Sequence, residues 1–253
     1  AAVIIAGAAV LAVAGLGYAG IQKKKAAEAA SAKATAEADD SNTVTWQGKT
    51  YKYNQNLSNY LLLGVDKRTP AETRVGKADA GQADALFLLS LNRKTKEMTM
   101  ISIPRDTMTD VESFDLEGKS LGKSKDHISL SYGYGDGGAE SCKLTQEAVS
   151  NLFYGLPIQG YLAMNLDGIP ELTKSVGGLT VTVPNNSLEY KYPEFSEGAE
   201  VTLTEENTET FVRSRDVDES QSAIYRMERQ KAFLDAFSKK AKECYEQNAK
   251  FAA

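Results

Sequence analysis

This sequence has few of the residues that build metal clusters, disulfide frameworks and histidine-based active sites. Its 253 residues include one histidine, one tryptophan and two cysteines. Cys142 and Cys244 lie far apart and form no Cys-x-x-Cys pair, so with His127 as the sole imidazole a zinc site is excluded. The chain contains neither a Gly-x-Ser-x-Gly motif nor a glycine-rich loop ending in Gly-Lys-Ser/Thr. These absences argue against a serine hydrolase and a P-loop enzyme.

Basic residues are fewer than acidic ones. The chain has 29 lysines and arginines against 34 aspartates and glutamates, a formal net charge of -5 at pH 7 and a pI near 5.2. Nucleic-acid binding usually requires a broad basic surface, so this balance argues against a DNA or RNA partner. The 42% hydrophobic and 25% charged residues are ordinary for one folded domain with a sizeable core.

A long run without charge stands at the beginning of the sequence. Residues 1–21 are almost wholly apolar, and about 20 such residues suffice to cross a bilayer as a helix. We predict a transmembrane helix over 1–21, a juxtamembrane linker over 22–42, a folded domain over 43–247 and a tail over 248–253. Because the sequence does not open with methionine, we expect further residues before the helix. The lysines at 23–25, considered alone, would place the domain in the cytoplasm.

The folded part alternates strand-like and helix-like patterns. Apolar or alternating runs predict strands at 43–46, 49–53, 60–65, 85–91, 97–103, 161–164 and 179–183. Apolar residues at helical spacing predict helices at 141–154, 167–175, 205–212 and 224–245. Strands interleaved with helices indicate an α/β fold. We therefore predict a three-layer α/β/α domain in which helices cover both faces of a central mixed sheet.

One arginine stands where a buried strand is expected to meet solvent. The segment Ser102-Ile103-Pro104-Arg105-Asp106 ends an apolar run, which makes Arg105 a candidate ligand for an anion. Asp66 closes one predicted strand, Asp84 opens the next, and Arg68 should point to the same side as Asp66. Carboxylates at strand ends line the crevice where α/β proteins bind ligands, and two of them suit Mg²⁺ together with water and phosphate. Each aspartate is equally typical of a turn or a cap, and Arg68 of a surface salt bridge.

More arginines gather later in the chain. Arg213 and Arg215 stand two residues apart, so in an extended segment they share one side and repel each other unless an anion lies between them. Arg226, Arg229 and Gln230 share one helix face, which indicates either an anion site or an ordinary solvated surface. With a divalent metal, these groups could neutralise the charge that develops in phosphoryl transfer.

At these residues the sequence resembles the LytR-CpsA-Psr family of Gram-positive envelope proteins. The matching segments occur in the family's order. They are Leu62 to Arg68, Asp84 before its strand, Ser102 to Asp106, Tyr132 to Gly138, Val176 to Val181, Arg213 to Arg215 and Arg226 to Gln230. The ordered set is far more specific than any single segment.

The resemblance implies an activity and a location. A member of this family would be a single-pass membrane protein with an extracytoplasmic α/β/α domain, and the lysines at 23–25 would then be an exception to the usual charge rule. It would transfer a glycopolymer, such as wall teichoic acid or capsule polysaccharide, from a polyprenyl (pyro)phosphate carrier to a peptidoglycan hydroxyl. The metal would be Mg²⁺, or Mn²⁺ in its place.

The resemblance also implies roles for individual side chains. Asp66 and Asp84 would hold the metal and, with Arg105, Arg213 and Arg215, form the catalytic set. The pyrophosphate would be bound by Arg68, Arg105, Arg213, Arg215, Arg226, Arg229 and Gln230. The lipid tail would lie in an apolar tunnel, with possible walls at Leu144, Val149, Leu152 and Phe153, which could equally be ordinary core.

Some positions depart from the family pattern. Gln82 and Ala83 stand where the family usually has Arg and Ser, and Ala223 stands where an acidic residue is frequent. These departures leave open a non-catalytic module that only binds lipid-linked polymer or wall glycan. A third reading, a transcriptional attenuator, is disfavoured by the acidic chain and the lack of a helix-turn-helix pattern. In an exported domain Cys142 and Cys244 could pair or stay buried as thiols.

Overall fold

The structure, a computed structural model, describes residues 42–69 and 73–251. The transmembrane helix predicted over 1–21 and all but the last residue of the linker predicted over 22–42 lie outside the described residues. Among the helices that are described, none combines the length and the apolar composition needed to cross a membrane.

The described residues form strands and helices in alternation. The strands are β1 (Thr43–Trp46), β2 (Lys49–Lys52), β3 (Leu57–Val65), β4 (Ala83–Asn92), β5 (Met98–Ile103), β6 (Met108–Phe114), β7 (Ser120–His127), β8 (Gly160–Met164), β9 (Leu179–Thr182) and β10 (Glu200–Leu203). The α-helices are α1 (Leu130–Gly133), α2 (Ala139–Leu152), α3 (Gly168–Ser175), α4 (Thr208–Arg213) and α5 (Ser222–Phe251). Every strand and helix predicted from the sequence is present, with most ends shifted by up to three residues. The exception is α5, which continues to Phe251 and so includes residues 248–251 of the predicted tail. The elements β6, β7, β10 and α1 were not predicted.

A four-stranded mixed sheet organises the domain, in the order β5-β4-β3-β8. β3 pairs antiparallel with β4 and parallel with β8, while β4 pairs antiparallel with β5. The mixed central sheet was predicted correctly. Because β3 and β4 run in opposite directions, the end of β3 and the beginning of β4 meet at one edge of the sheet. That edge carries the candidate site.

One face of the sheet packs into a closed core. Along β3 the side chains of Leu61, Leu63 and Val65 are buried, and they pack with residues of β4, β6 and α2 such as Val111 and Val149. A continuous apolar run such as 60–65 is typical of a strand buried on both faces. Burial instead alternates along it, since every second side chain of a strand points to the opposite face.

The opposite face of the sheet looks towards α3 and α5. A second core lies on this side and joins β9, β10, α4 and α5 through buried side chains such as Leu179, Leu203, Phe211 and Phe237. Helices thus cover both faces of the central sheet. The β9–β10 pair is a separate small antiparallel sheet.

The two cysteines belong to different cores and are free thiols. Cys142 is buried in the first core, whereas Cys244 is half-buried against the second. Burial raises the pKa of the Cys142 thiol to about 11, so this thiol stays protonated and unreactive at neutral pH. The sequence left open a disulfide between the two cysteines or two separate thiols, and the structure has the separate thiols.

Candidate functional site

Arg105 and Asp84 form the centre of the candidate site. The antiparallel register pairs Leu86 with Ile103, which brings the beginning of β4 beside the residues that follow β5. Arg105 donates a hydrogen bond from Nη1 to Asp84 Oδ1 and a second from Nη2 to Gln82 Oε1 at 2.7 Å. About a fifth of each charged side chain is exposed. The convergence of Arg105 and Asp84 at one sheet edge agrees with the sequence-based expectation.

A second arginine reaches Asp84 from the long helix α5. Arg226 is only 6% exposed, and its Nη1 lies 3.4 Å from Asp84 Oδ2. Burial lowers the pKa of Arg226 and Asp84 opposes that shift, while Arg215 and Arg105 lower it further. Two guanidinium groups therefore share one carboxylate, and Arg215 is close enough to lower the pKa of Arg226. Arginine side chains gathered in this way supply the donors that bind an anion, and Asp84 and Asp106 balance part of their charge.

Gln82 connects Asp66 to Arg105. The Gln82 backbone N–H donates to Asp66 Oδ1 at 2.7 Å, and the Asp66 N–H donates to the Gln82 carbonyl at 3.1 Å. Gly81 precedes this contact with φ +94°, and a Cβ there would lie 2.7 Å from Asp66 Oδ1. Only glycine accommodates both conditions. Sequence reasoning marked Gln82 as a loss of positive charge, but its side chain supports Arg105.

Asp66 and Asp84 supply the carboxylate oxygens that a magnesium ion at this edge would use, and both Asp84 oxygens also contact arginines. Mg²⁺ commonly takes one or two carboxylates and completes its shell with water and substrate phosphate oxygens. Asp66 Oδ2 has no hydrogen-bond partner among residues 42–69 and 73–251. The described residues contain no cluster of three or more His, Cys, Asp or Glu side chains arranged for a metal. Protein ligands at this edge would therefore be limited to these two carboxylates.

Arg68 and Arg213 lie in a second charged group, which we call the outer clamp. Its members are Arg68, Asp167, Glu209 and Arg213, and Glu209 accepts hydrogen bonds from both arginines. Arg68 was expected beside Asp66 but instead contacts Asp167 and Glu209. Arg213 was expected in an extended segment with Arg215, but it ends α4 and pairs with Glu209 one turn earlier. The structure thus separates Arg213 from Arg215, which lies near Arg226.

Arg229 is buried against backbone carbonyls. It is 0% exposed, and it donates from Nε to the Phe211 carbonyl at 2.8 Å and from Nη2 to the Ser214 carbonyl. Its Nη1 contacts Ser187 Oγ. Burial lowers the pKa of Arg229 to about 10, so the group remains charged at neutral pH. Its donors are turned to the chain, which makes Arg229 a positioning residue for the α4–Arg215 segment rather than a group that faces the anion site.

Replacing Arg229 by lysine is expected to destabilise the fold. Lysine keeps the charge but cannot span the separate carbonyls, and hydrogen bonds to a charged group contribute enough that we expect a loss of about 3 kcal/mol. For a domain of this size that corresponds to a fall in Tm of about 6–12 °C. Calorimetry of Arg229→Lys beside Arg93→Lys, at an exposed turn, checks this. Equal Tm values for the two variants would contradict the positioning role.

An apolar cavity lies between the sheet and the helices α3 and α5. Its volume is about 340 Å³, within the range of ligand pockets. The sheet contributes Leu62 and Phe87 to its lining, and the helices contribute Leu172, Phe233 and Phe237. Leu62 and Phe87 belong to the alternate side chains of β3 and β4 that point away from the closed core.

The apolar cavity adjoins the charged site. A cavity of about 320 Å³ is lined by Asp84, Arg105 and Arg226, and it shares Ala85 and Gln230 with the apolar one. Gln230 is fixed there by a hydrogen bond from Nε2 to the Val212 carbonyl at 3.2 Å. A cavity lined by charged side chains and an apolar cavity therefore meet at Ala85 and Gln230.

The residues predicted as tunnel walls lie elsewhere. Leu144 and Val149 are buried on α2, and Leu152 and Phe153 pack against the same closed core. None of the four lines the cavity between the sheet and α3 and α5. They lie on the opposite face of the sheet, because α2 covers the face to which Leu61 and Leu63 point. Their position is that of ordinary core residues, which was the second alternative left open by the sequence.

His127 lies at the rim of the site. Its Nδ1 is 3.3 Å from Asp106 Oδ1, and the same oxygen is 3.4 Å from Arg105 Nε. The unpredicted hairpin β6–β7 brings it there, since the Ile128 N–H bonds the Thr107 carbonyl. From the sequence, His127 was considered only as a possible zinc ligand or hydrolase residue, and its place beside Arg105 was not predicted.

Comparison with known proteins identifies relatives of this chain. The model of the LytR_cpsA_psr family matches residues 18–247. A polyisoprenyl-teichoic acid–peptidoglycan teichoic acid transferase, TagU of Bacillus cereus, is 32% identical over 182 residues, which are 71% of this chain and 51% of TagU. The chain therefore spans about half the length of the curated relatives it matches.

Solved structures share the fold. The crystal structure of TagV from Bacillus subtilis has a TM-score of 0.53 at 26% identity, covering 74% of this chain and 66% of that one. TagT with bound octaprenyl pyrophosphate lipid has a TM-score of 0.53 at 22% identity, covering 83% of this chain and 74% of that one. At the latter identity the likeness is one of fold alone. Both matches agree with the mixed central sheet described above.

Proposed function

Because this chain belongs to the LytR-CpsA-Psr family, we propose that it transfers a glycopolymer from a polyprenyl pyrophosphate carrier to a hydroxyl group of peptidoglycan. The observation that carries the proposal is the meeting of the arginine-lined cavity and the apolar cavity at Ala85 and Gln230. This combination suits a ligand with an anionic head and a long hydrocarbon tail. TagU, whose name assigns it a teichoic acid and peptidoglycan, supports a polymer of that class.

In the proposal, the inner arginines bind the pyrophosphate. Arg105 and Arg226 both line the polar cavity, and each presents a fork of donors that matches phosphate oxygens. Arg215 adds positive charge from the segment that Arg229 holds in place. The prenyl chain extends past Ala85 and Gln230 into the apolar cavity, where Phe233 and Phe237 cover it.

Asp66 and Asp84 are the residues that would hold Mg²⁺. When bound, the ion would add positive charge beside the phosphate oxygens and so stabilise the charge that develops during transfer. Asp84 is held between Arg105 and Arg226. A carboxylate so placed orients both guanidinium groups.

The reaction is a displacement at phosphorus. The oxygen of an acceptor sugar hydroxyl attacks the phosphorus that carries the polymer and loses its proton. The bond from that phosphorus to the bridging oxygen breaks, and prenyl phosphate leaves with the electron pair. The arginines contribute by neutralising charge on the non-bridging oxygens, which is the main demand of phosphoryl transfer.

Gln82 bears on the rival function, a module that binds without transfer. The absence of the family's usual arginine there would be a reason to expect weak headgroup binding. However, Gln82 Oε1 accepts a hydrogen bond from Arg105 and so supports the orientation of the remaining arginine. This contact removes the reason to expect weak headgroup binding, and a transfer assay decides between the transferase and the binding module.

The place of action belongs to the same proposal. A single helix over the apolar residues 1–21 would hold the protein in the cell membrane, with the domain on the outer side where peptidoglycan lies. There, the lipid-linked polymer reaches the apolar cavity from the membrane.

A transfer assay tests the proposed reaction. The purified full chain is incubated with lipid-linked teichoic acid precursor and peptidoglycan oligomers, with Mg²⁺ and then with a chelator. We expect polymer on the oligomers and released prenyl phosphate, with much lower yield after metal removal. Polymer that stays on its carrier in the presence of Mg²⁺, although the lipid binds, would contradict the transferase and identify a binding module.

A further inference from the structure

The outer clamp contains the two arginines that the inner site does not use. Arg68 follows β3, and Arg213 ends α4. Arg68 donates from Nη1 to Asp167 Oδ1 and from Nη2 to Glu209 Oε1, each at 2.9 Å, and Arg213 Nη1 donates to the same Glu209 oxygen at 3.0 Å. Both positive charges are therefore balanced by carboxylates of the chain itself.

Glu209 is the centre of this arrangement. Its side chain is only 24% exposed, whereas those of Arg68 and Arg213 are 57% and 51% exposed. Both carboxylate oxygens are used, since Arg68 Nη1 also lies 3.3 Å from Oε2. Glu209 is thus fixed while the arginines around it are open to solvent and to an incoming anion.

The outer clamp stands beside the apolar cavity. Gly168, which follows Asp167, and Val212, which precedes Arg213, both line that cavity. The Val212 carbonyl also accepts the hydrogen bond from Gln230, the residue shared with the polar cavity. Val212 thus connects Arg213 of the outer clamp to Gln230, which lines both cavities.

We infer that Glu209 competes with the anionic headgroup for Arg68 and Arg213. In the free protein these two arginines pair with Glu209, and a polyprenyl pyrophosphate displaces the carboxylate when it binds. The inference rests on the proposed function, because it concerns the same ligand. Exposed ion pairs contribute little to stability, so an anion with several charges can replace them. Glu209 then sets the affinity for the headgroup without touching the lipid tail.

The competition predicts that removing the Glu209 charge strengthens headgroup binding. In Glu209→Gln the amide no longer neutralises the two arginines, and we expect the Kd for geranylgeranyl pyrophosphate to fall about three- to tenfold at 0.15 M salt. Asp167→Asn frees only one contact of Arg68 and should give a smaller change of the same sign. Titration calorimetry of the full chain measures both.

Glu205→Gln is the matched control. Glu205 forms an exposed pair with Lys174 at 2.9 Å, and its replacement changes the net charge by the same amount. We expect its Kd to equal that of the unaltered protein, because Glu205 pairs with Lys174 and forms no ion pair with Arg68 or Arg213.

The possible outcomes separate the two claims. If the unaltered protein binds and Glu209→Gln binds no tighter than Glu205→Gln, the competition is refuted and the proposed function stands. A fall in Tm of Glu209→Gln without tighter binding would show a purely structural clamp and would also refute it. If no variant binds geranylgeranyl pyrophosphate, the proposed function itself fails.

Discussion

Arg105→Ala is expected to lower the rate of polymer transfer by about a hundred- to a thousandfold, the effect of removing one preorganised donor from a developing oxyanion. The reason is its position. Arg105 lines the polar cavity, its two Nη atoms are oriented by Asp84 and Gln82, and only about a fifth of its side chain is exposed. Alanine removes these donors, while Arg226 remains to pair with Asp84.

The measurement is the turnover rate in the transfer assay, together with a thermal melt. Arg93→Ala is the matched control, since Arg93 is exposed and lies just beyond the end of β4 opposite to Asp84. It should transfer at the normal rate. A folded Arg105→Ala protein with unaltered transfer would contradict the proposed role of Arg105.

Leu172→Trp is expected to block the binding of long prenyl chains. Leu172 on α3 lines the apolar cavity, and an indole there would occupy space that the tail requires. Each CH₂ group that loses its burial costs about 0.8 kcal/mol, so exclusion of even one isoprene unit weakens binding more than tenfold. Inorganic pyrophosphate has no tail and should bind as before.

Titrations with geranylgeranyl pyrophosphate and with inorganic pyrophosphate separate the two parts of the site. Leu152→Trp is the control, because Leu152 is also a half-buried helical leucine but packs against the opposite face of the sheet. Equal losses of prenyl affinity in both variants would refute the assignment of the tail to the cavity.

The central part of the site could be predicted from the sequence because it depends on local patterns. Apolar runs that end before Asp66 and Arg105, or that begin after Asp84, mark strand ends. Strands that follow one another in the sequence usually pair or lie side by side. Their side chains therefore converge at one edge whatever the details of packing. The family motif placed the same residues together.

The outer clamp could not be predicted in this way. Arg68 and Glu209 are 141 residues apart, and a glutamate on a short helix is most often solvated. Arg229 was equally hidden, since a helical arginine beside Arg226 gives no sign that its donors reach backbone carbonyls. Both depend on how α4 and α5 pack.

The choice between tunnel wall and ordinary core for the residues of α2 could not be made from the sequence for a related reason. The sheet has apolar side chains on both faces, and α2 and α5 both carry apolar stripes. Only the packing decides which side closes into core, as around Val149, and which leaves a cavity, as around Phe233.

Mass spectrometry of lipid extracted from the purified protein tests the central claim most directly. An anion site joined to an apolar channel should retain its ligand through purification, so the account predicts a polyprenyl phosphate or pyrophosphate, depleted in Arg105→Ala and in Leu172→Trp. A protein that carries no prenyl lipid and binds none when geranylgeranyl pyrophosphate is added would contradict it.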